Sequence, residues 1–336
     1  ILELSMDGKV DSCTSLNSSS SFTIKNIKKI EATSEYVIAG TLNGTLNIDG
    51  TSINSKQQDL VLLKYNQAGE LITYKSIGGA GNDSLNSIDI SKNGYISIVG
   101  TVGPGGLTVE TKYGEEINIT YDWYDLFVIQ FDSNLEIEWA SQPGISYDGS
   151  AGRTAISTSD GGIILASKLY YGAVHFSAEE TVSGEPIQFK KYGDAWCGVV
   201  IKYTVDGLVE NAYRFKATGG NVIGLMSMQA NDGAFILANV TSGVLIETEN
   251  TLNEKEIKST GALQLIKLSN NGKAEYSKAI STLPMSGGLK KGDNNYIAYG
   301  YLTENKINRA QMIEFQENTI SAEIPEQQEL TIENYK

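Results

Sequence analysis

Short runs of alternating or continuously apolar residues, separated by turn residues, extend through the whole chain. The clearest stretch is Asp59–Thr101, where the runs Asp59–Tyr65, Glu70–Ile77, Asn86–Ser91 and Tyr95–Thr101 are divided by segments rich in Asn and Gly. Runs of this length with Asn, Gly or Asp between them are typical of β-hairpins. No amphipathic pattern of helical period extends over more than a few turns. The pattern therefore predicts an all-β chain.

The pattern recurs as two kinds of strand pair. The first pair, an alternating strand followed by an apolar one, ends at five positions: Thr41, Thr101, Lys168, Val240 and Tyr301. The second pair begins with an apolar strand that ends at six positions: Leu4, Tyr65, Phe131, Tyr203, Leu268 and Phe315. The two pairs together make a four-stranded antiparallel module, the size of a propeller blade. Because the third strand of each module is almost wholly apolar, we expect both of its faces to be covered.

A row of such sheets must cover its two end faces, either with polar caps or by closing into a ring. No polar cap sequence is present, so the pattern favours a single β-propeller domain over residues 1–324. We predict an orphan hairpin at 1–16 and blades at about 22–78, 79–143, 144–219, 220–284 and 285–324. Six blade positions, one containing the orphan hairpin, are favoured over five. Residues 325–336 are interpreted as a linker or a closing strand.

Each module carries an insertion between its second and third strands. The insertions contain pairs of short alternating segments, such as GLTVE and EINIT, which we interpret as β-hairpin arms that project from one rim. The two longest, Val102–Tyr124 and Leu169–Trp196, are rich in aromatic residues, including Tyr113 and Phe189. Binding residues concentrate in loops on rigid scaffolds, and Tyr and Trp are favoured anchors for proteins and sugars. The predicted binding residues are Tyr121, Trp123, Tyr124, Tyr170, Tyr171, Tyr192 and Trp196, and packing of these rings against their own blades is the alternative.

Charge and cysteine content narrow the classes of partner. The chain has 40 acidic and 26 basic residues and a formal net charge of −14. An acidic surface repels phosphate backbones, so we expect no nucleic-acid partner. No apolar run approaches the ~20 residues of a membrane helix, so no membrane insertion is expected. Cys13 and Cys197 fall in different modules, which predicts two free thiols. The sequence starts at Ile1–Leu4 with a strand-like segment, so we expect the natural N-terminus to lie upstream.

Motifs for catalysis or metal binding are weak. Gly78–Leu85 is similar to one calcium-binding nonapeptide, but such sites are built from tandem copies, so an inter-blade loop is favoured. Ser157–Gly162 is similar to an Asp-box but lacks the aromatic residue that should follow, so a hairpin turn is favoured. His175 is the only histidine, which argues against a zinc site or a Ser–His–Asp triad. We expect no enzyme, no cofactor and no metal.

The repeated residues resemble the bacterial SBBP-type β-propeller repeat. The match is closest over Asp59–Thr101, at Lys64, Gly69, Gly78, Gly79, Gly81, Asp83, Gly94, Gly100 and Thr101. Elsewhere Gln130 replaces the lysine, and Ser167 and Asn239 replace the strand-end glycine. The resemblance implies a propeller of a large secreted or cell-surface bacterial protein, and it brings no catalytic residues.

Three functions remain open at this point. The first is a monomeric, non-catalytic module that is extracellular or attached to a bacterial cell surface and binds an extracellular protein or glycoprotein, for example of a host, through its arms. The second is a carbohydrate-binding or glycoside-processing propeller that uses Glu31 and Asp89 in the central channel as its acids. The third is a structural spacer between other domains.

Overall fold

The structure is a computed structural model. It describes residues 2–4, 10–13, 17–18, 21–48, 50–119, 125–143, 151–170, 174–189, 196–217, 222–229, 233–240, 244–248, 251–257, 263–272, 274–281, 286–291, 296–304 and 307–315. Among these residues, every regular element is a β-strand except one short 3-10 helix, η1 (Ala178–Glu180), so the all-β prediction is confirmed. No helix in the described ranges is long and apolar enough to cross a membrane.

Two compact units divide the chain, Ile1–Gly152 and Arg153–Lys336. The strands of the first unit are β1 (Leu2–Leu4), β2 (Val10–Cys13), β3 (Asn17–Ser18), β4 (Ser21–Ile30), β5 (Glu35–Ile48), β6 (Thr51–Tyr65), β7 (Leu71–Ile77), β8 (Ser84–Ile90), β9 (Ile96–Val102), β10 (Leu107–Glu110), β11 (Glu116–Ile119), β12 (Asp125–Phe131) and β13 (Ile137–Ser141). Sheet 1 has the order β4-β5-β6-β7, with β3 paired to the far end of β5. Sheet 2 has the order β8-β9-β12-β13, while β1–β2 and β10–β11 are separate antiparallel pairs.

The second unit repeats this antiparallel arrangement. Its strands are β14 (Ala151–Ser157), β15 (Ile163–Tyr170), β16 (Val174–Phe176), β17 (Ile187–Phe189), β18 (Trp196–Tyr203), β19 (Val209–Ala217), β20 (Val222–Gln229), β21 (Ala234–Val240), β22 (Val244–Thr248), β23 (Thr251–Ile257), β24 (Leu263–Leu268), β25 (Ala274–Ser281), β26 (Ser286–Lys291), β27 (Tyr296–Glu304) and β28 (Ile307–Phe315). Sheet 3 has the order β14-β15-β18-β19 and is extended by the hairpin β22–β23, sheet 4 has the order β20-β21-β24-β25, and sheet 5 contains β26-β27-β28. The predicted four-stranded antiparallel sheets are therefore present.

The third strand of each of sheets 1 to 4 lies in the core. Every residue of β12 is buried, and so is every residue from Asp59 to Tyr65 in β6. On one face, Leu60 and Leu62 join a cluster that includes Ile98 and Phe127 of sheet 2, so the two sheets pack face to face. A similar cluster joins sheets 3 and 4. The continuous apolar runs in the sequence thus correspond to strands covered on both sides.

A buried lysine recurs near the end of the third strand. Lys64 and Lys202 are 5% and 0% exposed. The Nζ atom of Lys64 lies 2.8 Å from Glu35, and that of Lys202 lies 3.0 Å from Asp160. Each acid is at the turn between the first two strands of the same sheet. In these two sheets the lysine therefore holds the turn to the third strand, and the ion pair removes the cost of an isolated buried charge.

Sheet 2 replaces this ion pair with neutral groups. Its corresponding turn, 91–94, contains no acid, and its third strand carries Gln130 instead of lysine. Gln130 is fully buried, and its Oε1 atom accepts a hydrogen bond from the indole N–H of Trp139 at 3.0 Å. The departure of this module from the repeat pattern is thus matched by a compensating change in its surroundings.

Candidate functional site

The predicted aromatic binding residues fall largely outside the described ranges. Tyr121, Trp123, Tyr124, Tyr171 and Tyr192 all lie there. Tyr170 ends β15 and Trp196 begins β18, and their Cα atoms are register partners at the base of the third insertion. The structure therefore brings the backbones of these two residues together, and the binding role of all seven stays a prediction.

The second insertion forms an arm, β10–β11, that packs onto the core instead of projecting into solvent. Leu107, Val109 and Ile119 are buried in the cluster shared by sheets 1 and 2. The arm leaves the sheet where Val102 pairs with Asp125. Its tip reaches the opposite end, where the backbone N–H of Lys112 donates to the carbonyl of Ile137 at 2.8 Å. The predicted projection was wrong because an alternating hairpin has one apolar face that must be buried.

The third insertion follows the same plan with its arm β16–β17. Val174, Phe176, Ile187 and Phe189 are buried, and the ring of Phe176 meets that of Tyr203 edge to face at 6.2 Å. The backbone N–H of Val182, near the arm tip, donates to the carbonyl of Val209 at 3.0 Å. The intervening His175 is exposed. Each arm thus covers its sheet with an apolar face and presents a polar face to solvent.

The tip of the second arm presents an exposed aromatic ring. Tyr113 is 74% exposed, the largest exposure among the large hydrophobic residues whose burial the structure describes. Its hydroxyl donates to Glu138 Oε2 at 3.1 Å, and the Nζ atom of Lys112 lies 5.2 Å from the ring centroid. The hydrogen bond to Glu138 raises the pKa of Lys112. We call Lys112, Tyr113 and Glu138 the tip cluster.

The tip cluster combines a ring with fixed charges of both signs. The exposed ring can take part in stacking beside the ammonium group of Lys112, and Lys112 and Glu138 supply a hydrogen-bond donor and an acceptor. Such a combination can contact both the apolar and the polar groups of a ligand. Tyr113 was among the arm aromatics noted in the sequence but not among the predicted binding residues. The position of Gly114 after it, a turn glycine with φ of 81°, was the local sign of an exposed tip.

The glycine-rich segment Gly78–Asp83 is a connection between sheets 1 and 2. A Cβ atom on Gly79 would clash with the carbonyl oxygen of Gly106, and one on Gly81 would clash with that of Pro104. These glycines therefore allow two backbone segments to lie in direct contact. The interpretation of this segment as an inter-sheet loop agrees with the structure.

Asp83 holds this connection together. Its side chain is fully buried and accepts hydrogen bonds from the backbone N–H groups of Gly103 at 3.0 Å and Gly79 at 3.2 Å. Burial raises the pKa of Asp83 to about 6, the two hydrogen bonds oppose this, and the negative charge of Asp59 adds to the increase. Asp59, whose carboxylate a Cβ atom on Gly78 would meet, is the second buried acid at this junction.

The two acids of the glycosidase alternative occupy different environments. Glu31 is exposed in the turn that follows β4, and it does not lie on an innermost strand as predicted. Asp89 lies in β8, and its Oδ1 atom accepts a hydrogen bond from Lys28 at 3.0 Å. Glu31 and Asp89 thus differ in exposure and in position on the sheet, and their role as a catalytic pair stays a prediction.

Comparison with known proteins adds no assignment. No protein-family model matches the chain, and no curated protein is significantly similar to it. Within the described ranges, no group of three or more His, Cys, Asp and Glu residues is arranged to hold a metal ion.

Proposed function

We propose that the chain is a β-propeller that acts as a non-catalytic binding module of a secreted or cell-surface bacterial protein. Its partner is an extracellular protein or glycoprotein, which it binds through the solvent faces of its arms. The observation that carries this proposal is Tyr113, a ring left 74% exposed on an arm whose other face is packed against the core. Exposed aromatic residues fixed on a rigid scaffold are typical anchors of interfaces.

We propose that the sheets close into a ring. Sheets 1 and 2 pack face to face, and their edge strands β4 and β8 are joined by the ion pair of Lys28 and Asp89. The face of sheet 1 that turns away from this cluster is also buried, with Ile38, Val61 and Leu63 all at 0% exposure. Sheets that are covered on both faces are what the blades of a propeller require.

The test is binding of the purified chain to immobilised mucin, fetuin and fibronectin and to a glycan array. Tyr113→Ala should weaken binding to the positive probe by about 30-fold, the loss typical of an interface hot spot. The matched control is Tyr74→Ala, which removes a tyrosine that is 39% exposed on β7 of the same unit and should leave the affinity unchanged.

Several results would contradict the proposal. If Tyr74→Ala and Tyr113→Ala weaken binding equally, the tip cluster is not the site. Binding that survives Trp123→Ala combined with Trp196→Ala excludes those two predicted anchors. If no probe binds, the spacer function is favoured, and turnover of a panel of chromogenic glycosides would favour the glycosidase alternative instead.

A further inference from the structure

Asp59 has a buried oxygen atom with no hydrogen-bond partner. Its side chain is 5% exposed, and its Oδ2 atom accepts a hydrogen bond from the backbone N–H of Lys56 at 3.0 Å. The Oδ1 atom is buried without a partner in the described part of the chain. It is directed at the glycine-rich connection, since a Cβ atom on Gly78 would clash with it. A buried carboxylate oxygen left in this state requires an explanation.

The neighbouring carboxylate increases the need for positive charge. Asp83 is fully buried, and the charge of Asp59 acts on it across the same connection. The lysines that form ion pairs in this unit are each engaged with another acid: Lys28 with Asp89, Lys64 with Glu35, Lys75 with Glu136, and Lys112 with Asp132 and Glu138. None of the ion pairs formed by the described residues includes Asp59 or Asp83.

Further oxygen atoms lie along the same connection. The carbonyl oxygens of Pro104 and Gly106 lie against the glycines of the connection. Calcium binds carboxylate and carbonyl oxygens in flexible geometry, whereas magnesium demands a near-ideal octahedron. We propose that Asp59 and Asp83 hold one calcium ion at the junction of sheets 1 and 2, with backbone carbonyls and water completing its coordination. The proposal departs from the expectation of no metal that the sequence alone supports.

The proposal explains a contrast between two modules. Asp125 begins the third strand of sheet 2 as Asp59 begins the core segment of the third strand in sheet 1. Both carboxylate oxygens of Asp125 have donors, the backbone N–H of Leu126 at 3.2 Å and the side-chain amide of Gln142 at 2.8 Å. Asp125 therefore differs from Asp59, whose Oδ1 atom has no donor in the described part of the chain, and it provides a matched control for the Asp59 variant.

The test is calorimetric titration with CaCl2 of the chain that has been treated with EDTA and dialysed at pH 7.5. We expect wild type and Asp125→Asn to bind calcium with the same stoichiometry, and Asp59→Asn to bind one ion fewer. Calcium should raise the melting temperature of the first two proteins and not of Asp59→Asn, whose folding is checked by circular dichroism. Asp83→Asn, the second variant, should lose the same ion.

Three outcomes would overturn the proposal. If the wild-type protein takes up no calcium in the titration, a proton and not a metal ion neutralises the pair of Asp59 and Asp83. An unchanged stoichiometry in Asp59→Asn would place any bound calcium elsewhere on the acidic surface. Equal effects of CaCl2 and MgCl2 on the melting temperature would indicate general screening of charge. None of these outcomes bears on the binding function of the tip cluster.

Discussion

Asp83 should give the protein an unusual dependence of stability on pH. In the folded state the pKa of its buried carboxyl is raised from 3.8 to about 6. The folded chain therefore holds this proton more tightly than the unfolded chain does, and the contribution of Asp83 to stability falls as pH rises through about 6. For these two pKa values, the linkage relation gives a loss of about 1.4 kcal/mol between pH 5 and pH 7.5.

The assay is urea denaturation at pH 5 and pH 7.5, in EDTA, for wild type and Asp83→Asn. The change in the free energy of unfolding between the two pH values should differ by about 1.4 kcal/mol between these proteins. Asp160→Asn is the control: burial acts to raise the pKa of Asp160, but hydrogen bonds from Thr158, Gly162 and Lys202 outweigh it and lower the pKa. Its contribution is lost only below about pH 4, so this variant should keep the wild-type difference. Identical pH dependence in wild type and Asp83→Asn would refute the reasoning.

Two further predictions concern the repeat residues. Gly79→Ala should lower the free energy of unfolding by about 3 kcal/mol, since its Cβ atom meets a backbone oxygen that cannot move aside. Gly114→Ala, which has open space around the added atom and a positive φ, should cost only about 1 kcal/mol in the same urea titration. Gln130→Lys should cost about 3 kcal/mol because the new charge is buried without a partner. Adding Asn93→Asp, at the turn position that Asp160 occupies in sheet 3, should recover at least half of that loss in a double-mutant cycle, and no recovery would contradict the pairing rule.

The strand pattern predicted the local structure well because it depends on residues close together in the sequence. Alternation and turn residues determine where a strand begins and ends, and the uninterrupted apolar runs around Asp59–Tyr65 and Asp125–Phe131 predicted strands covered on both faces. One turn residue departs from the repeat pattern. Leu135 occupies the turn position that Gly69 has in the repeat, and it adopts a φ of 65° there. The burial of its side chain, 1% exposed, offsets a backbone cost of about 1 kcal/mol.

The candidate sites could not be predicted in the same way because they depend on contacts between distant segments. The bond from the Gly103 backbone to Asp83 joins residues 20 positions apart. A glycine at a repeat position indicates only that a side chain is excluded, and not which atom excludes it. The alternating segments of the arms likewise indicated two unlike faces. Which face is buried depends on the sheet beneath, and for this reason the arms were expected to project when they in fact pack.

Repeat residues and arms have different roles in this structure, and this difference determines which residues can set the specificity of the proposed binding. Lys64 and Lys202 hold turns, Gly79 allows two backbones to touch, and Asp83 joins neighbouring segments. Residues committed to folding in this way cannot vary with the partner without a loss of stability. The arms differ from one another in length and sequence while burying the same kind of apolar face. Their outward faces, with Tyr113 the most exposed ring described, are therefore where the proposed binding module can change its partner while keeping its fold.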